Sequence, residues 1–574
     1  MHLINVDAFL RREQLFRSWR RVECRTKVLE SCDDETTHYA ILSHKWIDSM
    51  EVGYKEMVNL GKMDRQEQNE VRGRPGYKKI VDTCEQAKQD GYEWVWVDTC
   101  CIDKRSSAEL SEAINSMYRW YGNAKVCYAY LHDVDGSSFP TEKNDSKYQK
   151  SDGWPEWFSR GWTLQEMIAP RNLRFFNKDW QPIGNKEMLT ETLERITGVP
   201  EHILADGLEG NRPCVAQIIS WAANRTTTRV EDRAYSLMGL LDVNMQMLYG
   251  EGKKAFHRLQ LEIIRSSNDQ SIFTWGHESD VRIGSILADD PSDFEGCSTM
   301  ELVNHSEFIK EFPELSSTSA VHLDVFPVTN RGIQIWIVSR RYRDSNSVFK
   351  AYLPCRRWGT IVTIDLVLWN SNYYRYPNMR NADLEDSPAG FSQVYLRYQD
   401  TPNHAVTFEI DDSELIEKGF FRSRAHPEDL TGKTFTLTNA NPFCVKTYSE
   451  FRGNCSFDIA FGQYLGLDWA HLVGFLLDET DDETFYINEA SKTRGPDWAL
   501  SMADAPSEDD SRGRLWIRHL RLPESNWIVR TYRVAWERSK IRLRMELVEV
   551  LWDFEFRNGL DEWKAYDVEA STSR

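Results

Sequence analysis

The segment whose residue types could best support catalysis is 159–166, whose sequence is Ser-Arg-Gly-Trp-Thr-Leu-Gln-Glu. On a helix, Trp162 and Glu166 are four residues apart and share one face. An indole beside a carboxylate excludes water, which raises the pKa of the carboxyl group and strengthens its field. Glu166 is therefore a candidate catalytic residue. The alternative is a surface glutamate on an amphipathic helix, which the local sequence by itself favours.

Polar and reactive side chains also follow two segments that are predicted to be buried strands, at 38–43 and 94–98. In a parallel sheet, ligands bind in the crevice beyond the carboxyl ends of the strands. We therefore expect a binding site where these two strands end. Its candidate residues, together with one from the helix described above, are Ser43, His44, Lys45, Trp46, Asp98, Cys100 and Trp162.

Each of the polar groups after the second strand has more than one interpretation. Cys100 and His44 could form a thiolate–imidazole pair, but a buried cysteine is more often a small apolar side chain. We expect Cys101 in the core and Cys100 facing the crevice. Asp98 could cap the turn or bind a sugar hydroxyl, as acidic residues after strands do in nucleotide-binding folds. For Asp103 a structural role is favoured.

The elements that would position these residues alternate between strand and helix. Strands are predicted at 38–43, 94–98, 126–131 and 173–176. The helices between them begin at Pro75, at a cap formed by Ser107, and near Gly161. Such alternation indicates right-handed βαβ units and a parallel sheet, so the first domain is predicted to be α/β.

The rest of the chain changes character twice. Residues 186–280 have helical periodicity, and 332–337, 363–366 and 541–547 alternate between apolar and polar residues as strands with one wet face do. We therefore predict three regions. They are an α/β domain at 1–185, a helical extension at 186–280 and a β-rich region at 281–574, which forms a sandwich or barrel of unknown role.

Composition excludes several classes of protein. The net charge of −19 disfavours binding to nucleic acid, and no apolar run is long enough to span a membrane. The eleven cysteines include no CxxC pair, and the charged N-terminus is unlike a signal peptide, so we expect a cytoplasmic protein with free thiols. The Gly-Lys pair at 252–253 is not a phosphate loop, because Met247 stands where that motif needs glycine. We expect no metal and no bound cofactor.

Three blocks of sequence together resemble the heterokaryon incompatibility (HET) domain of filamentous fungi. They lie at 40–46, 96–104 and 160–166, in the order and at the distances typical of that family. The segments 229–240 and 248–252 resemble an extension common in HET proteins. The resemblance covers about residues 1–280 and implies a role in non-self recognition, programmed cell death and innate immunity.

The HET sheet has been likened to Toll/interleukin-1 receptor (TIR) domains, which gives a TIR-like, flavodoxin-like expectation for the α/β domain. Plant TIR domains carry a Trp-Cys-x-x-Glu helix whose glutamate cleaves NAD. Trp162 and Glu166 are similar in spacing, with Thr163 in place of the cysteine. The resemblance thus implies that Glu166 cleaves the nicotinamide–ribose bond of NAD. It also implies a protein that is a homo-oligomer when active.

In such a reaction one carboxylate stabilises the positive charge of an oxocarbenium-like transition state. Trp46 or Trp162 would stack on a base, Lys45 would pair with the diphosphate and Asp98 would hold ribose hydroxyls. Three alternatives stay open at this point. The domain could act by assembly alone, Cys100 and His44 could form a thiol hydrolase, or the C-terminal region could bind an unknown ligand or protein and restrain the HET domain.

Overall fold

The computed structural model forms two compact units. The N-terminal unit contains Met1–Arg340, Phe349–Asn381 and Glu385–Tyr398, and the C-terminal unit contains Arg341–Val348, Ala382–Leu384 and Gln399–Arg574. Both domain boundaries predicted from the sequence, at residues 185 and 280, lie inside the first unit and stay predictions. The residues that the structure describes are 1–18, 27–47, 49–210, 212–276, 284–315, 322–343, 348–369, 371–376, 383–399, 405–426, 432–437, 443–451, 455–464, 467–476, 515–516, 520–521, 527–537, 540–557 and 560–567.

A seven-stranded sheet with helices on its faces opens the N-terminal unit. Its strands are β1 His2–Asn5, β2 Leu29–Ser31, β3 Tyr39–His44, β4 Trp94–Trp96, β5 Val126–Tyr130, β6 Leu173–Phe176 and β7 Pro182–Asn185. The helices of this region are α1 Val6–Arg17, α2 Tyr54–Asn59, α3 Arg65–Arg72, α4 Pro75–Gln89, α5 Ser107–Asn123 and α6 Thr163–Ile168, with short 3-10 turns at Leu60–Lys62 and Glu156–Ser159.

The strand order is β2-β1-β4-β3-β5-β6-β7. The four inner strands β4, β3, β5 and β6 are parallel, and Ala40 of β3 pairs with Val95 on one side and Val126 on the other. This confirms the four predicted strands. The sheet as a whole is mixed, however, because β1, β2 and β7 add antiparallel edges. The purely parallel prediction was wrong there, since antiparallel edge strands of three or four residues need no crossover helix and leave little periodicity in the sequence.

The helices form where capping and apolar spacing agree. Pro75 stands at the start of α4, whose predicted stripe of Tyr77, Ile80, Val81, Cys84 and Ala87 is buried. The cap of α5 is Ser106, whose hydroxyl accepts from the Glu109 amide, so the prediction of Ser107 was one residue late. Helix α1 packs on α4 and α5 packs on α6. Right-handed crossovers of this kind place α4 on one face of the sheet and α5 and α6 on the other.

Residues 190–266 are mostly helical, as their periodicity predicted, and the bounds of the helical extension stay a prediction. Its helices are α7 Thr190–Thr197, α8 Glu201–Asp206, α9 Val215–Ser220, α10 Asp232–Tyr235, α11 Met238–Leu241 and α12 Lys254–Ser266, followed by 3-10 turns at Gln270–Phe273 and Pro291–Phe294. Within this region, 232–241 forms two short helices, α10 and α11, and not one continuous helix. A large shared core joins the extension to the seven-stranded sheet.

The chain becomes strand-rich after about residue 300, as predicted. The next elements are β8 Met300–Leu302, α13 His305–Lys310, β9 Ile333–Arg341, β10 Val348–Arg357, β11 Thr360–Trp369, β12 Asn372–Tyr376 and β13 Gly390–Leu396. Their order is β11-β12-β13-β9-β10-β8, and a further pairing of β11 with β10 closes the sheet on itself.

The C-terminal unit contains two more sheets. Its elements are β14 Val406–Asp411, α14 Ser413–Glu417, β15 Phe420–His426, β16 Thr434–Leu437, β17 Phe443–Glu450, β18 Cys455–Tyr464, β19 Leu467–Leu476, β20 Leu515–Trp516, β21 Leu520–Arg521, β22 Trp527–Glu537, β23 Lys540–Arg557 and β24 Leu560–Asp567. One sheet has the order β16-β14-β23-β22-β21, with β24 also on β23, and the other has the order β15-β17-β18-β19-β20.

Two general features bear on the predicted site. Among the described residues, no helix is both long and apolar enough to cross a bilayer, and no cluster of His, Cys, Asp and Glu side chains is arranged to hold a metal ion. The nine cysteines whose side chains are described are all free thiols.

Candidate functional site

Glu166 lies in the first turn of α6, where the sheet and the helical extension meet. The Ser43 hydroxyl, at the end of β3, donates a hydrogen bond of 2.5 Å to Oε2 of Glu166. The indole nitrogen of Trp157 donates to the same Ser43 oxygen at 2.8 Å. Only 4% of Glu166 is exposed, and Ser43 and Trp157 are fully buried. The carboxyl group is therefore fixed by a short chain of buried hydrogen bonds.

Burial raises the pKa of Glu166 to about 8. The hydrogen bond from Ser43 opposes this rise, the negative charge of Asp98 adds to it, and the positive charge of Arg160 opposes it. The direction of the shift is the one predicted from the sequence, but its cause is burial of the carboxyl group and not the indole of Trp162, which bonds Asp232. Because removal from water penalises the charged form, Glu166 is mostly protonated at neutral pH in this conformation.

The indole connected to Glu166 differs from the predicted one. The side chain of Trp162 hydrogen-bonds Asp232 of α10, in the helical extension. Trp157 reaches Glu166 through Ser43 instead. Trp157 belongs to the aromatic segment 154–158, which lies between a strand and a helix of the βαβ pattern. That segment has neither helical nor strand periodicity, so the sequence could not assign Trp157 to the site.

Trp46 and Asp98 meet at the carboxyl ends of β3 and β4, as predicted. The Trp46 indole N–H donates to Oδ2 of Asp98 at 2.7 Å. The ammonium group of Lys104 lies 3.7 Å from the centre of a Trp46 ring, and the guanidinium carbon of Arg160 lies 6.0 Å from it. Trp46 is 38% exposed, so these four side chains form a crevice that is open to solvent. The contacts of Lys104 and Arg160 were not foreseen.

His44 lies behind this crevice in a neutral state. Its Nε2 is 3.5 Å from Oδ1 of Asp98, and both ring nitrogens are buried without a hydrogen-bond partner. Burial lowers the pKa of His44 well below its ordinary value, and the charges of Lys79, Arg160 and Lys104 lower it further. The imidazole is therefore available as a polar group but not as a cation.

Lys45 points to a different set of side chains. Its ammonium group forms an ion pair with Glu156, whose carboxylate also lies 3.6 Å from Nε2 of His132. Behind it, buried Lys79 pairs with Glu51 and donates to the Lys45 carbonyl at 3.2 Å. Lys45 is thus neutralised by a carboxylate in this conformation.

The two cysteines after β4 are both in the core. Cys100 is fully buried, its thiol lies 3.9 Å from the Val97 carbonyl, and burial raises its pKa well above the ordinary value. Cys101 is core, as expected, but Cys100 does not face the crevice. Asp103 has the structural role predicted for it. It binds Arg105, which lowers the pKa of Asp103 to about 2.

A cleft of about 370 Å³ adjoins Trp46 on the side of α2. Its walls are the segment before and within the start of α2, including Tyr54, and the segment that follows β4, including Ile102. Lys104 and Arg105 stand at its edge. Volumes of this order are typical of small-molecule sites.

Comparison with known sequences identifies the class of protein to which the domain with this crevice belongs. The family described as heterokaryon incompatibility protein (HET) matches residues 39–155, and a domain of unknown function (DUF8212) matches residues 254–282. The chain therefore carries a HET domain, as the blocks at 40–46 and 96–104 predicted, while the third block, 160–166, follows the matched residues. No solved structure matches the chain.

Among curated proteins, the chain is similar to vegetative incompatibility protein HET-E-1 of Podospora anserina. The two are 43% identical over 231 residues, which is 39% of this chain and 16% of that protein. The chain thus spans about a sixth of the length of the relative that it matches.

Proposed function

We propose that this chain is an effector of fungal heterokaryon incompatibility, and that its HET domain acts by cleaving the nicotinamide–ribose bond of NAD with Glu166. The likeness to a vegetative incompatibility protein supports the role. The observation that carries the reaction is the fixed carboxylate of Glu166, which lies at the carboxyl end of β3 next to the Trp46–Asp98 crevice.

The strand order supports a TIR-like, flavodoxin-like interpretation. Numbered along the chain, the four parallel strands have the order 2-1-3-4, which is the beginning of the flavodoxin-like order 2-1-3-4-5. In sheets of this kind the ligand crevice lies at the switch point between the first and third strands. Here these are β3, which carries Ser43 and His44, and β5, while Asp98 follows β4 on the other side of β3.

The chemistry suits a single carboxylate. The bond between N1 of nicotinamide and C1′ of the ribose breaks, and its electron pair leaves with neutral nicotinamide. The ionised Glu166 stabilises the positive charge left on the sugar. Water then adds to C1′ and releases a proton, which gives ADP-ribose, or a hydroxyl or base nitrogen of the same molecule adds and gives a cyclic product. In this scheme Asp98 holds a ribose hydroxyl, Trp46 stacks on a base and the HET domain needs no cofactor.

The burial of Glu166 adds a condition to this proposal. With 4% exposure and a pKa of about 8, the carboxyl group must be uncovered before it meets the ribose as an anion. We assign this step to assembly of the protein with itself, which would shift α6 and the segment before it. The free thiols fit a reducing compartment, and we place the reaction in the cytoplasm.

A second candidate function is a non-enzymatic interaction module. The same observation favours it, because a buried glutamate bonded to Ser43 is what a purely structural role would give. In that case cell death would follow from assembly, and Glu166 would only stabilise the fold of the domain.

Incubation of the purified chain with NAD at several protein concentrations tests the enzymatic proposal, with nicotinamide release followed by chromatography. Glu166→Gln is the matched variant, because the amide resembles the protonated acid in size and still accepts from Ser43. Glu13→Gln is the control, since Glu13 is also a buried glutamate, paired with Arg72 away from the crevice. Release by the wild type and Glu13→Gln but not by Glu166→Gln supports the reaction. Equal release by all three, or none at any concentration, counts against it.

A further inference from the structure

The basic side chains around the Trp46 crevice fall into two groups. Three of them are neutralised by carboxylates: Lys45 by Glu156, Lys79 by Glu51 and Arg105 by Asp103. Lys55 of α2 lines the adjoining cleft. The two cations over the Trp46 ring are Lys104 and Arg160, and within the part of the chain that the structure describes neither forms an ion pair with a carboxylate.

These two unpaired cations share one contact. Both lie over the indole of Trp46, at 3.7 Å for the Lys104 ammonium and 6.0 Å for the Arg160 guanidinium carbon. An exposed indole between two cations stabilises them only weakly in water. The Asp98 carboxylate is bonded to the same indole and its charge acts on Lys104, so at this ring one carboxylate faces two cations.

Buried polar atoms next to the pair also lack partners. They include Nε of Arg160 itself, the Thr99 hydroxyl and both ring nitrogens of His44, which is 4% exposed. Buried polar atoms are normally hydrogen-bonded, and a group of them at one place indicates a missing ligand or water. Thr99 also lines the cleft beside Trp46.

We propose that Lys104 and Arg160 are the phosphate-binding pair of this crevice and hold the diphosphate of the dinucleotide against Trp46. This inference rests on the proposed function and moves the diphosphate from Lys45, the residue predicted from the sequence, to Lys104 and Arg160. An arginine and a lysine over the same indole suit a diphosphate, because it carries two negative charges and accepts several charge-assisted hydrogen bonds.

The pair also orients the substrate. Arg160 lies just before α6, and its carbonyl accepts at 3.0 Å from the hydroxyl of Thr163, which lies in the same helical turn as Glu166, so the ribose on the Arg160 side of the diphosphate faces the carboxylate. Lys104 stands at the edge of the cleft with Tyr54 and Ile102. The adenosine half therefore enters that cleft, and the nicotinamide half extends toward Glu166.

Isothermal titration of the full chain with inorganic pyrophosphate and with ADP-ribose tests this assignment. We expect Lys104→Gln and Arg160→Gln each to weaken the binding of both ligands by about tenfold, because each variant removes one charged contact. Lys88→Gln removes the same charge in the last turn of α4, and it should change the affinity for each ligand less than twofold. Adenosine, which lacks phosphate, should bind the wild type and Lys104→Gln alike.

Two results overturn the assignment. One is failure of the wild type to bind pyrophosphate and ADP-ribose at millimolar concentration. The other is loss of affinity in Lys45→Gln but not in Lys104→Gln, which would return the diphosphate to Lys45. These results differ from a failure of the proposed reaction, in which ADP-ribose binds through Lys104 and Arg160 but no nicotinamide is released.

Discussion

At the scale of single residues, Glu166 has to satisfy two opposing demands. Its packing against Ser43 and Trp157 fixes its position, which favours catalysis, but burial also favours the protonated form, which does not. Ionisation of this one group should therefore control both the stability of the N-terminal unit and the rate of any reaction at the crevice.

We expect the stability of the wild type to fall, relative to Glu166→Gln, as the pH rises from about 5 to about 8. The pKa of Glu166 is raised from 4.5 to about 8 by burial, so the folded state keeps a proton that the unfolded state releases in this range. Stability therefore declines with rising pH in that window. Thermal unfolding of both proteins across this range measures the effect, and parallel curves would contradict it.

The same pKa predicts a pH profile for the reaction. Because only the ionised carboxylate stabilises a cationic sugar, nicotinamide release should increase as the pH rises through about 8. Ser43→Ala should move this rise to higher pH, since the Ser43 hydrogen bond lowers the pKa of Glu166. It also leaves the Trp157 indole without its acceptor, at a cost of about 1–3 kcal/mol of stability. A profile that is highest in acid would contradict the role of Glu166.

At the scale of elements, the segment before α6 is held by the helical extension. Buried Arg225 donates to the Arg160 carbonyl at 2.9 Å and to the Thr163 hydroxyl at 3.1 Å. The Gly161 amide donates to the Thr226 carbonyl at 2.9 Å. The helical extension thus helps to position Glu166, and any movement that exposes the carboxylate must break or shift these hydrogen bonds.

Close packing of α11 on α5 gives a prediction at this scale. A Cβ added to Gly239 would lie 2.2 Å from Cβ of Tyr118, so Gly239→Ala should destabilise the N-terminal unit by about 1–3 kcal/mol through overpacking. Gly122→Ala is the control, because its nearest atom would be the Ala169 carbonyl oxygen at 3.8 Å. Denaturant unfolding should show a loss for the first variant only. Equal stability of the two would contradict the packing.

The sequence predicted the elements better than their contacts. The inner strands were predictable because residues such as Val95 and Ile41 form short buried runs between helices with clear stripes. The edge strand β1 was not predictable, because its four residues are too few to show a periodicity and an antiparallel edge strand needs no crossover helix. The pairing of Lys45 with Glu156 was not predictable either, since the two residues are 111 positions apart and no pattern links them. Without that pairing, Lys104 and Arg160 could not be singled out as the cations without a carboxylate partner.

At the scale of the whole molecule, the chain joins a HET domain and its helical extension to three further sheets in the strand-rich region. If assembly uncovers Glu166, the rate of nicotinamide release per molecule should increase with protein concentration and level off once the protein is assembled. Light scattering on the same samples would measure the assembly. A rate per molecule that is constant while the protein changes from monomer to oligomer would contradict this proposal.

The most direct test of the central claim is the NAD content and viability of host cells that express the wild type, Glu166→Gln or Glu13→Gln at equal levels. We predict that NAD falls before cell death with the wild type and with Glu13→Gln, and that Glu166→Gln is folded and leaves both NAD and viability unchanged. Cell death with Glu166→Gln at undiminished NAD would contradict the claim and show that the HET domain kills by assembly alone.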